Sequence, residues 1–141
     1  MQIAVIYWTG SGNTELMAQA VAEGAREAGA AVSLTPVAGI NADTAAGYDR
    51  LALGCPAMGA EVLEESEFEP FFSSLEDRLG SKKLALFGSY GWGDGQWMRD
   101  WQERTEHAGA QLCQDGLAVM ETPDGNALAA CRALGRALAE A

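Results

Sequence analysis

Short apolar runs alternate along this chain with stretches of helical period, and that alternation is its tightest constraint on fold. The runs "QIAVIY" (2–7), "AAVSLTPV" (30–37), "RLALGC" (50–55), "KLALFGS" (83–89) and "LAVME" (117–121) have strand length and composition. Between them, "NTELMAQAVAEGAREAG" (13–29) sets Leu16, Ala20, Val21 and Ala25 toward one face. "PFFSSLEDRLG" (70–80) repeats the pattern with Phe71, Phe72, Leu75 and Leu79, and "GQWMRDWQERTEHAG" (95–109) puts Trp97, Met98 and Trp101 on one side. "NALAACRALGRALAE" (126–140) reads as an Ala-rich helix. Strands apolar throughout suit a sheet covered on both faces. Strict alternation with helices then gives right-handed crossovers: a three-layer, doubly wound α/β fold with a parallel sheet of five strands. With 141 residues and no internal repeat or linker, residues 1–141 are expected to form a single domain with a sizeable core.

A net charge of −11 with only nine Lys plus Arg excludes nucleic acid and anionic membrane as natural partners. It permits a positively charged protein partner, although acidity also serves solubility alone. The chain opens on an apolar run without a basic leader or cleavage site, and no run is long enough to span a bilayer, so a cytoplasmic location is expected. Cys55, Cys113 and Cys131 form no CxxC pair, and His107 is the only histidine. Buried free thiols are expected in place of a metal site.

In an open parallel sheet, ligands bind outside the carboxyl ends of the strands, where the winding direction switches. Three unusual loops follow the first, third and fourth strand runs. In "TGSGNT", Thr9–Thr14, Gly10 and Gly12 let backbone amides approach an anion at a helix start, and Thr9, Ser11, Asn13 and Thr14 add side-chain donors. The P-loop lysine is missing and Glu15 stands where GxGxxG requires its third glycine, so one terminal phosphate suits the loop better than a triphosphate or pyrophosphate. A plain glycine turn with helix caps is the alternative.

In "PAMGAEVLEESE", Pro56–Glu67, Met58 precedes a Gly59-Ala60 turn and Glu61 follows it. A thioether can lie against a ring, although Met beside Gly also serves packing alone. Glu64, Glu65, Glu67 and Glu69 are charges near a helix start, Ser66 and Glu69 have capping-box spacing, and Pro70 sets the helix start near residue 70. In "SYGWGDGQW", Ser89–Trp97, Tyr90 and Trp92 stand just past a strand end among Gly91, Gly93 and Gly95, with Ser89 and Asp94 as polar anchors. Trp92 is either a core residue or a face on which a flat aromatic ligand stacks; glycine neighbours hold it poorly unless something packs on it. The three loops together describe a site for a phosphate monoester bearing a flat polar ring, which FMN meets better than NAD, FAD or ATP.

"YWTGSGNT", "LGCPAMGAEVLEESEFEPF" and "KKLALFGSYGWGDGQWMRDW" resemble segments of short-chain, clostridial-type flavodoxins almost residue for residue, from Met1 to about Trp101. The final forty residues match in pattern, and the last strand leaves no room for an insertion. The resemblance implies a flavodoxin-like sheet of order 2-1-3-4-5, one of the arrangements on which the switch-point rule itself is based. It implies non-covalent FMN and low-potential one-electron transfer between redox enzymes, through the semiquinone/hydroquinone couple. By position, Thr9, Gly10, Ser11, Gly12, Asn13 and Thr14 would hold the phosphate. Pro56, Ala57, Met58, Gly59, Ala60 and Glu61, with Ser89, Tyr90, Gly91, Trp92, Gly93 and Asp94, would surround the ring. Met58 and Trp92 would take opposite faces, Glu61 the flavin N3 side, and the Gly59 carbonyl would face N5.

Two positions depart from the clostridial pattern: Ala60, where Asp or Gly is usual, and Glu121, where a neutral polar residue is expected. If the Gly59-Ala60 peptide forms a type II turn, Ala60 must accept positive φ. The implied partners are redox proteins with basic docking surfaces, met by a monomer with no catalytic residues of its own. A small FMN-dependent NAD(P)H or quinone reductase is the alternative, although the basic fold uses up the chain. A receiver-type signalling domain would need acidic strand ends where Trp8 and Cys55-Pro56 stand, and a lysine where the last strand ends at Met120-Glu121.

Overall fold

A computed structural model describes residues Met1–Ala141. The strands are β1 (Gln2–Tyr7), β2 (Ala31–Pro36), β3 (Arg50–Gly54), β4 (Lys83–Tyr90), β5 (Gln111–Leu112) and β6 (Leu117–Met120). The helices are α1 (Asn13–Glu27), α2 (Ala42–Ala46), α3 (Phe68–Glu76), α4 (Gln96–His107) and α5 (Gly125–Glu140). All pairings are parallel, in the order β2-β1-β3-β4-β5, with β6 also on β4.

The sheet thus has the expected order, and its fifth position is built in two pieces. Gln111 and Leu112 pair with Lys83 and Leu84, and Leu117–Met120 pair with Phe87–Tyr90. Between them, the Gln102 side chain receives the Gly116 N–H at 2.8 Å and donates to Asp115 at 3.0 Å, in place of ladder bonds. "GAQLCQDG" lacks the apolar continuity of a strand, so only the second piece is legible in the sequence.

Strand side chains alternate between two cores. Ala4, Ile6, Leu51, Leu53, Leu84 and Leu86 face one side with α3 and α4 residues, including Phe68, Phe72, Trp97 and Trp101. Ile3, Val5, Ala52, Ala85 and Phe87 face the other with Met17, Val21, Cys131, Leu134 and Leu138 of α1 and α5. These are the three layers, and no helix is long and apolar enough to cross a membrane.

Helices α1 and α5 meet backbone to backbone: a Cβ at Gly24 would collide with the Arg132 carbonyl, and one at Gly135 with the Val21 carbonyl. This contact widens the buried stripe of α1 to Met17, Ala18, Ala20, Val21, Ala22 and Ala25, while Leu16, expected on that stripe, is 42% exposed. Arg50 reaches the far end of α5 and donates to the carbonyls of Leu138 (2.7 Å) and Ala139 (2.9 Å), which the helix leaves unpaired.

Candidate functional site

The carboxyl ends of β1, β3 and β4 open onto one cleft of about 330 Å³. Its wall takes Trp8, Gly10, Ser11 and Asn13 from the first turn, Pro56, Ala57 and Met58 from the second, and Ser89, Tyr90 and Gly91 from the third; Glu121 closes it. The three loops singled out in the sequence do converge. A larger groove, about 730 Å³, is lined by Glu76, Asp77, Asp100, Glu103, Arg104 and His107 and offers a flat ring almost no apolar wall. The smaller cleft is the better site on chemistry.

The first turn is preset for an anion. Gly12 sits at φ 97° at the head of α1, a left-handed position that suits glycine. Thr9 Oγ1 accepts the Gly12 N–H at 3.0 Å and Ser11 Oγ accepts the Asn13 N–H at 3.4 Å, so these hydroxyls shape the turn. The amides of Gly10, Ser11, Thr14 and Glu15 donate to nothing within the chain. Thr14 is buried, and its hydroxyl lies 3.1 Å from Ser89 Oγ and accepts the Ser89 N–H at 3.3 Å. That hydroxyl ties the first turn to the third and does not line the cleft.

Trp8, missing from the sequence-based site, lies under the turn: a Cβ on Gly10 would stand 3.1 Å from the indole. Its Nε1 donates to Glu67 at 3.2 Å, linking the first turn to the segment before α3. Its place directly after an apolar strand run was the available signal.

In the second loop, Met58 and Val62 exchange backbone bonds (2.8 and 2.9 Å) around Gly59, Ala60 and Glu61. Gly59 takes φ 51° and Glu61 φ 55°; Ala60 is not among the positive-φ residues, so the strain expected at Ala60 falls on Glu61. Glu61 Oε1 accepts the Gln96 N–H at the head of α4 (3.1 Å), and its carboxyl fills the space a Cβ on Gly93 would need.

The acidic run that follows is more than solvated charge. Glu64 is 6% exposed and is the true cap of α3, accepting the N–H groups of Ser66 (2.8 Å), Glu67 (2.8 Å) and Phe68 (2.9 Å) and the Ser66 hydroxyl. Burial alone would raise its pKa, but these bonds outweigh it and hold the carboxyl below the usual range. The Ser66–Glu69 capping box does not form; Glu69 is drawn to Arg104, which also holds Glu76 and covers the Phe72 ring at 4.8 Å. Helix α3 starts at Phe68, with Pro70 inside its first turn, where a missing N–H costs nothing.

Past β4, Trp92 is 55% exposed and follows the lining residue Gly91, whereas Trp97 is buried and donates Nε1 to the Cys55 carbonyl at 3.1 Å. Of the two readings of Trp92, a core role is thereby removed. Gly93 (φ 82°) and Gly95 (φ 89°) carry the chain from Trp92 into α4 past Asp94, whose carboxylate pairs with Arg99 at 3.0 Å. Asp94 therefore faces the helix and leaves the cleft to Ser89, Tyr90 and Gly91. Cys55 and Cys131 are buried free thiols, pushed up to about 12 and about 11 by burial, and Cys113 is half-buried.

A family model described as Flavodoxin matches residues 5–135. The chain belongs to the flavodoxin family. It is 50% identical over 120 residues to a flavodoxin of Clostridium beijerinckii, covering 85% of this chain and 87% of the relative. It is 45% identical over 139 residues to a flavodoxin of Megasphaera elsdenii, covering 99% of each. The solution structure of two-electron reduced Megasphaera elsdenii flavodoxin superposes with a TM-score of 0.88 at 46% identity over 99% of both chains. Membership carries the family's function: FMN-dependent electron transfer, in which the flavin does the chemistry and the polypeptide is a carrier, not an enzyme. The reductase alternative is not favoured.

Proposed function

We propose that the cleft between the three turns holds FMN, with the phosphate on the Thr9–Thr14 turn and the ring between the second and third loops. The unpaired amides of Gly10, Ser11, Thr14 and Glu15 beside a concave, cation-free wall carry this reading. Four donors at the start of a helix suit a phosphate. Met58 offers a thioether to one face of the ring and Trp92 an indole to the other, with Pro56, Ala57, Tyr90 and Gly91 excluding water. Gly59, Ala60 and Glu61 stand behind Met58, and Gly93 and Asp94 set the approach of Trp92.

Bound FMN supplies one-electron chemistry. The chain binds it, orients it and limits its contact with solvent. The reading includes a monomer in the cytoplasm, formed by residues 1–141 as one domain, that meets redox proteins through their basic surfaces. The net charge of −11 supports that choice of partner.

Titration of the flavin-free protein with FMN and with riboflavin, followed by flavin fluorescence, tests the site. A hydrogen bond from an amide to a charged phosphate oxygen contributes about 1.5–3 kcal/mol, so FMN binds at least tenfold tighter. Equal dissociation constants refute the phosphate turn.

A further inference from the structure

A second crevice opens at the carboxyl ends of β1 and β2. The chain leaves β1 for α1, whose Met17 and Val21 join one core, and leaves β2 through Val37 for α2, whose Ala45 joins the other. Loops that part to opposite faces of a parallel sheet leave room between them for a ligand, as they do between β1 and β3. The space is about 300 Å³, and Trp8, Pro36 and Val37 give it an apolar wall. Trp8 also lines the candidate cofactor cleft, so its indole is a wall shared by both. Two carboxylates, Glu15 and Glu67, line the crevice, and no Lys, Arg or His does. Glu15 Oε2 accepts the Tyr7 hydroxyl at 3.1 Å, and Glu67 Oε1 accepts Trp8 Nε1 at 3.2 Å. The second oxygen of each accepts nothing within the chain, and neither residue belongs to any of the five ion pairs. Burial and the Glu15 carboxylate push the Tyr7 phenol up, so Tyr7 stays a donor at neutral pH and both glutamates keep acceptors for an incoming group.

We propose that this crevice binds an alkylguanidinium cation, with the alkyl stem on Pro36 and Val37 and the planar head against Trp8, donating to Glu15 and Glu67. A guanidinium carries its N–H donors in a flat fork that matches carboxylates, is weakly hydrated, and stacks on aromatic faces. An ammonium is more strongly hydrated and gives up more on entering. An anion is repelled by both glutamates, and a neutral apolar ligand takes their water away without replacing its hydrogen bonds. The site lies on the β2 side of Trp8 and does not depend on what the cofactor cleft holds.

Titration of the isotope-labelled protein with n-butylguanidinium chloride, followed by NMR, tests this. It is run on the FMN-loaded and on the flavin-free protein, so that it is read independently of the cofactor assignment. The Trp8 indole N–H and the amides of Val37 and Ala38 shift and saturate together, while the Trp97 indole N–H, bonded to the Cys55 carbonyl, holds its place. Glu15→Gln and Glu67→Gln keep acceptors for Tyr7 and Trp8 and remove one charge each. Each weakens binding roughly twofold to fivefold, and the double variant weakens it further. n-Butanol and sodium chloride at matched concentration do not saturate these signals. A blocked Gly-Arg-Gly peptide that binds as tightly as butylguanidinium assigns the cation to an arginine side chain of another protein; weaker binding assigns it to a small free guanidine. No saturation in the wild type, equal shifts from n-butanol, shifts spread over the whole acidic surface, or wild-type affinity in the double variant overturns the proposal. Should the double variant fail to fold, salt decides: wild-type affinity that stays flat from low to high ionic strength overturns a site built on charge.

Discussion

Glu61 Oε1 accepts the backbone N–H of Gln96 at 3.1 Å, so one carboxylate joins the turn after β3 to the helix after β4. Two of the three loops that converge on the cleft are joined by this contact. The residue making it is itself strained, at φ 55°.

The strain leads to a first prediction, about Ala60 and Glu61. Because Ala60 is not at positive φ, Ala60→Gly has no strain to relieve and only loosens the unfolded chain, costing about 0.4–1 kcal/mol. Glu61→Gly relieves a left-handed residue worth about 1–2 kcal/mol but loses the bond to Gln96, worth about 0.5–1.5 kcal/mol. Urea denaturation of the flavin-free variants gives Ala60→Gly as the clear loss and Glu61→Gly close to wild type. A stabilised Ala60→Gly would contradict the turn geometry.

The two tryptophans of the third loop separate function from stability. Trp92→Ala leaves the fold intact, weakens FMN binding by about 0.5–1.5 kcal/mol beyond its area term, and restores flavin fluorescence. Trp97→Ala removes a buried indole and its bond to the Cys55 carbonyl, and costs about 3–5 kcal/mol of stability. Paired FMN titrations and thermal melts check this; exchanged phenotypes would show that the wall is assigned to the wrong indole.

Glu64 makes the fold pH-dependent in a defined direction. Its folded pKa lies below the ordinary carboxylate value of about 4.3, so its stabilisation is complete above that value and is lost as pH falls through the folded pKa. Glu64→Ala removes the α3 cap and costs about 0.5–2 kcal/mol at pH 7. Denaturation curves of wild type and variant converge as pH falls through the lowered folded pKa of Glu64. A gap that persists undiminished at low pH would rule out the ionised cap.

Electron transfer to a basic redox partner slows as salt is added. The acidic flank that includes Glu65, Asp94, Asp100 and Glu103 is exposed, and a Debye length of about 10 Å at 0.1 M screens steering across it. Stopped-flow rates that stay flat from low to high ionic strength would exclude steering by this charge.

Strand bounds were nearly all legible in the sequence, because a sheet buried on both faces writes each strand as an unbroken apolar run; β1 matches at both ends. The split last strand was not, since Gln111–Leu112 owe their place to β4 and the join between the two pieces to Gln102. The site glycines were readable from their clustering. The work of Glu64, Glu67 and Glu69 was hidden, because each finds its partner through turns or packing that short-range spacing does not encode. Leu16 was misplaced because the contact of α1 with α5 turns its buried face toward Ala18 and Ala22.

The contact of Gly24 with Arg132 and of Gly135 with Val21 joins two helices far apart in the sequence into a clasp. Helix α1 begins at the turn after β1, and α5 is the helix that backs it. The turns after β1, β3 and β4 all precede α5 in the sequence, yet the first of them starts a helix that leans on it. Loosening α5 is therefore expected to loosen α1 and the turn from which α1 starts.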